Sequence, residues 1–141
     1  MVNASEKEQK PIALHPDDLP FITVSPGVQL KELTGLSAVA GAKSELGSVA
    51  YFRLAPGKAS HWSHNKIGEE SFFVLKGRGE VWIGSQAHEV RPGSFILIPP
   101  SAVRSIRASK GETLEYYAIT NPSWTREDDV LVDAPEGAPP N

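Results

Sequence analysis

The sequence predicts an all-β protein, a sandwich or barrel of short strands. Three observations carry this. Val, Ile, Phe, Tyr and Trp gather in short runs, and Gly, Pro, Ser and Asn punctuate them. The runs recur at short, regular intervals, the mark of sandwiches and barrels. No stretch between residues 28 and 120 has a helical period with caps.

In chain order, VQLKEL (28–33) alternates apolar and polar residues, the pattern of a strand with one buried face. GSVAYFRLAPG (47–57) is a strand closed by Pro-Gly. ESFFVLKGRGEVWIGSQAHEV (70–90) reads as strand, Gly turn, strand, polar turn, strand. RPG (91–93) turns the chain into SFILIPP (94–100), and VRSIRA (103–108) and TLEYYAIT (113–120) complete the series. Short helical turns are expected at HPDDLP (15–20) and WTREDD (124–129), where acidic residues lie near a helix start.

The totals limit the function classes. At 141 residues the chain is one domain, long enough to bury one core. Residues 1–10 are polar and read as a flexible arm, 11–132 as the ordered domain, and DAPEGAPPN (133–141) as a flexible tail with little to bury. A net charge of -3 with scattered Lys and Arg gives no nucleic-acid footprint and no membrane surface. Without cysteine there is no disulfide and no thiolate zinc site. The N-terminus MVNASEKEQK lacks the apolar stretch of a signal peptide, and no run approaches the roughly 20 apolar residues of a membrane span. The expectation is a soluble cytoplasmic protein.

The chemistry concentrates in HWSHNKIGEE (61–70), where two histidines and a glutamate precede a hydrophobic strand. In extended chain, residues i and i+2 share a face, so His61, Ser63 and Asn65 point one way and His64 the other. A one-residue bulge would turn His64 back.

The stretch from Leu54 to Pro100 resembles the small single-domain cupins. Against that family's first motif, G-x5-H-x-H-x4-E-x6-G, the chain sets Gly57, Ser63, Asn65, Glu70 and Gly77. Against the second, G-x5-P-x-G-x2-H-x3-N, it sets Gly93, Pro99, Ser101, Arg104 and Ala108. The resemblance implies a double-stranded β-helix, or jelly-roll barrel, with a pocket in its mouth, and a homodimer formed through the sheets. It also implies one divalent metal held by three histidines and a glutamate, a set suited to iron, manganese, nickel or zinc. Here only Glu70 of that set survives. Arg104 stands at the last histidine position, and a guanidinium stays protonated and has no lone pair to donate. The favoured expectation is therefore a pocket without metal.

Glu70 and Arg104 occupy positions that converge in the family, so they are expected to meet. As a structural pair, a bidentate contact would hold the barrel together where the metal would have been. As a functional pair, Arg104 would grip a carboxylate, phosphate or enolate while His61 or Glu70 moves a proton. Three functions follow. The first is a metal-independent acid–base enzyme of the isomerase, dehydratase, cyclase or decarboxylase type. It would act on a small carbonyl, aromatic or carboxylate compound through His61, Glu70 and Arg104. The second is a metal-dependent, dioxygenase-like cupin using His61, His64 and Glu70. The third is a non-catalytic binding or sensor module. Ser63, Asn65, His64 and Phe72 are the expected substrate contacts, Phe72 because it shares the face of Glu70 and would favour a flat or apolar ligand. His15 and His88 read as exposed residues without chemistry. Trp62 is expected outside the barrel or at a dimer contact.

Overall fold

The computed structural model describes residues 10–141. The arm expected over 1–10 lies, except for Lys10, outside the described residues. A 3-10 turn at Pro16–Asp18 opens the chain, and the His15 imidazole caps it by accepting a hydrogen bond from the Asp17 amide at 3.1 Å. Eleven strands follow: β1 (Ile22–Ser25), β2 (Val28–Thr34), β3 (Ser48–Leu54), β4 (Ser63–Asn65), β5 (Glu69–Lys76), β6 (Gly79–Ile83), β7 (Gln86–Val90), β8 (Phe95–Ile98), β9 (Arg104–Ala108), β10 (Leu114–Asn121) and β11 (Asp129–Leu131). They form two antiparallel sheets. One has six strands in the order β1-β2-β3-β10-β5-β8, the other five in the order β11-β4-β9-β6-β7. Among the described residues no helix is long and apolar enough to cross a membrane.

Period-two alternation sets the core. Strand β10 buries Leu114, Tyr116, Ala118 and Thr120, and β5 buries Glu70, Phe72 and Val74, each pointing away from its less buried neighbours. Val81, Val90, Ile106 and Ala108 from the second sheet meet Val28, Leu54, Val74 and Leu114 from the first in one cluster. Each fully buried aliphatic side chain there contributes about 1.5–3 kcal/mol.

The motif glycines mark backbone rather than chemistry. Gly57, Gly77 and Gly93 have φ of 75°, 81° and 92°, in the left-handed region that other residues avoid. Ser101, where the family motif carries a glycine, keeps that conformation with φ 72°. Its amide donates to the Asn65 carbonyl at 2.7 Å, which fixes the turn behind β4.

Three local expectations are corrected. The segment 124–129 forms an isolated turn at 126–128 and then enters β11, which pairs with β4 through Val130 and His64. The short strand β1 pairs with β2 and was not expected. Trp62 stands outside the core cluster, as expected, but it is buried against the chain's own C-terminal segment rather than open to a partner. Its indole N–H donates to the Pro139 carbonyl at 2.9 Å, and Arg107 Nη2 donates to the Pro140 carbonyl at 2.9 Å.

Candidate functional site

Strand registers across the six-stranded sheet lay its inner face out in rows. Leu30, Phe52, Tyr116 and Val74 form one row, from β2, β3, β10 and β5. The next row is Glu32, Ala50, Ala118 and Phe72, and beyond it stand Ser48, Thr120 and Glu70. Two alanines side by side leave a hollow in the middle row. Aromatic side chains bound it on one side and hydroxyl and carboxyl groups on the other. The result is a cavity of about 360 Å³. Exposed Ile22, Val24 and Leu131 contribute to its lining at the rim. Phe52 stacks on Tyr116 with centroids 5.1 Å apart, and Phe72 meets the same ring edge-on at 5.2 Å. That aromatic wall suits a flat ligand.

The polar wall is built around Arg104, placed by β9 beside β4 through the Ser63–Arg104 pairing. Arg104 Nη2 donates to Glu70 Oε1, and Asn65 Oδ1 lies 3.3 Å from the same nitrogen. Thr120 Oγ1 donates to Glu70 Oε2 at 2.9 Å. The two charged side chains are only 6 % and 10 % exposed, so the pair is desolvated. Arg104 Nη1 is buried and has no hydrogen-bond partner. A buried donor of this kind is costly unless something accepts from it.

The structure places His61, Ser63, Glu70, Phe72 and Arg104 on the cavity wall. Asn65 stands behind it as a support for Arg104. His64 is not brought to the cavity, and its buried Nδ1 has no partner. His61, His64 and Glu70 therefore do not assemble into one site. Among the described residues no three His, Cys, Asp or Glu side chains are grouped to hold a metal. The four positions matching the family's ligands offer a hydroxyl, an amide, a guanidinium and one carboxylate. Both carboxylate oxygens are already engaged. That donor set does not fit a divalent cation.

Two acidic residues on the wall went unnoticed in the sequence. Asp129 accepts from the Trp124 indole at 3.0 Å through Oδ2, while its Oδ1 is buried without a partner. Glu32 is half-buried on β2, and Ser37 hydrogen-bonds it through side chain and backbone. A signal for Glu32 existed: in VQLKEL it falls in phase with Val28 and Leu30, a carboxyl on the apolar face of a strand. Gly35, at φ 137°, gives it room. A Cβ there would press on Glu32 Oε1 and lie 2.7 Å from the Ser48 Cβ.

Burial pushes the Glu32 carboxyl above its ordinary value, and the Ser37 bonds only partly offset this. A carboxyl raised on folding adds stability below its unfolded value, and that stability is lost as pH rises through the folded one. The ionised form of Glu32 is thus a burden on the fold. Glu32→Gln is expected to raise the thermal midpoint at pH 7, with the gain shrinking toward pH 4. A midpoint lowered at pH 7 would contradict this placement.

Two facing antiparallel sheets around one mouth define a jelly-roll barrel with an internal cavity. The Cupin domain family matches residues 50–120, half of the chain, and the protein belongs to that family. An uncharacterized protein of Methanocaldococcus jannaschii is 25% identical over 114 residues, 81% of this chain and 88% of that one. Among solved structures, the polyketide cyclase RemF from Streptomyces resistomycificus superposes with a TM-score of 0.72 at 19% identity, covering 91% of this chain and 89% of that chain. Streptomyces PAC13 with uridine gives 0.70 at 16% identity, covering 91% and 96%.

Proposed function

We propose that the protein is a metal-independent acid–base enzyme acting on a small carbonyl, aromatic or carboxylate compound in the barrel cavity. The observation that carries this reading is the Glu70–Arg104 pair where the family's metal would stand, with Arg104 Nη1 free of any partner among the described residues. In this reading Arg104 donates to an oxygen of the ligand. Glu70 holds the guanidinium in place, and His61 moves protons at the cavity mouth. Ser63 and Phe72 contact the ligand. Flat or carbonyl-rich chemistry is in keeping with two structural relatives, one a polyketide cyclase and one solved with uridine. We further propose that the protein works as a homodimer. The outward faces of β5 and β8 expose Phe73, Phe95 and Leu97 together, an apolar patch of the kind that pairs copies.

The test is binding of salicylate and 2-naphthol, followed by Trp124 emission, with and without a chelator and alongside elemental mass spectrometry. The expected result is saturable binding of 2-naphthol that the chelator leaves unchanged, in protein with far less than one metal per chain. Arg104→Met should weaken binding about 10–100-fold, the loss of one charged hydrogen bond. Near-stoichiometric metal whose removal abolishes binding would overturn the proposal.

A further inference from the structure

We propose that Glu32 is the base that takes the carbon-bound proton in this cavity, with His61 exchanging protons at its mouth, and that its substrate is a neutral, flat, enolisable carbonyl compound. This rests on the cavity reading above and narrows it.

The charges on the wall point to a neutral ligand. Arg104 is the one Arg or Lys side chain among the lining residues, and Glu70 already neutralises it. Glu32 and Asp129 add two further acidic groups. A carboxylate ligand would face both of them with no spare cation. A carbonyl oxygen meets Arg104 Nη1 without that repulsion, and gains most from it once it carries enolate charge.

Geometry points to Glu32 as the partner group. It stands on β2 and Glu70 on β5, three strands away across the sheet, about 14 Å at the usual strand spacing. Both side chains line the same hollow over Ala50 and Ala118, so a small ring system lies between them. Glu70 is unsuited to the task because Arg104 and Thr120 occupy both of its oxygens. Glu32 is held by Ser37, and its raised affinity for a proton matches the work of a base.

The step balances within the cavity. A Glu32 carboxylate oxygen takes a proton from the carbon next to the carbonyl. The C–H electron pair becomes the enolate double bond, and the carbonyl oxygen takes the charge opposite Arg104 Nη1. Return of a proton from Glu32 to that carbon restores the ketone; where a carbon–carbon double bond adjoins that carbon, return at the far end of the dienolate isomerises it.

The probe is 2-tetralone, a neutral bicyclic ketone, with 2-naphthoate as its flat anionic counterpart. Binding is read by ligand-observed NMR, and exchange of the carbon-bound protons in D2O by proton NMR. The expected result is binding of 2-tetralone in preference to 2-naphthoate, with exchange faster than in buffer. Glu32→Gln should keep the binding and slow exchange about 100-fold or more, the contribution of a positioned base. Ser37→Ala, which loosens the carboxyl without removing it, should slow exchange less. If 2-tetralone binds and exchange is absent, or persists in Glu32→Gln, the role of Glu32 is overturned while the cavity reading stands. If 2-naphthoate binds instead, the neutral-carbonyl inference is overturned. If neither binds, and salicylate and 2-naphthol fail as well, the cavity reading itself falls.

Discussion

Replacing Arg104 with methionine will destabilise the fold by about 3–5 kcal/mol, the usual cost of stranding a buried charge. Glu70 would keep the Thr120 hydroxyl but lose its cation, inside a wall where its side chain is 10% exposed. Asn65 would lose its partner as well. Replacing both members, Glu70→Leu with Arg104→Met, is expected to recover much of the loss, since no charge is then stranded. Urea denaturation of the two singles and the double would close the cycle. A single Arg104 variant within about 1 kcal/mol of the parent would mean that water screens the pair. Function separates from stability in the same set: the double variant should fold and still fail to bind 2-naphthol.

The second large effect is at Tyr116, which is 1% exposed between Phe52 and Phe72. Tyr116→Ala removes the centre of the aromatic wall and should cost about 3–5 kcal/mol. Tyr116→Phe should cost less than about 1 kcal/mol, because the hydroxyl has no protein partner among the described residues and faces the cavity. Burial first, and the Glu70 charge second, push the phenol well above its usual 10.0, and Arg104 only partly offsets them. The neutral phenol is therefore the folded form. Its contribution is complete below pH about 10 and is lost as pH climbs beyond that value. The alkaline fall in stability should be shallower in Tyr116→Phe. Equal destabilisation by the Ala and Phe variants would mean that the hydroxyl has a partner.

The strands and their turns were legible because each is a local pattern. Branched and aromatic residues alternate on β2, β3, β5 and β10, and glycines with positive φ stand at the turns. The meeting of Glu70 with Arg104 was expected from the resemblance, because both stand at positions that converge in the cupin family. Two of the strands that escaped lack the pattern. Ser63–Asn65 is three polar residues, and Asp129 follows an acidic run that resembles a helix start. The cavity itself was hidden for a different reason. Ala50 and Ala118 lie 68 positions apart (118 less 50), and only the β3–β10 register sets them side by side. Glu32 joins them through a further pairing, of β2 with β3. The tail was misleading in another way. Its Pro-rich composition gives it little to bury, yet its carbonyls take hydrogen bonds from Trp62 and Arg107. A backbone acceptor has no signature in the side-chain alphabet.

That last contact matters at the bench. An affinity handle fused after Asn141 would begin beside the carbonyls that Trp62 and Arg107 grip, and would pull on the ring closing that flank of the barrel. Gly111 is a better anchor, since a side chain added there meets nothing within 4 Å. The chain has no cysteine, so one thiol at that turn would be unique for a dye or a surface. Labelling there leaves both the cavity mouth and the strap over Trp62 untouched.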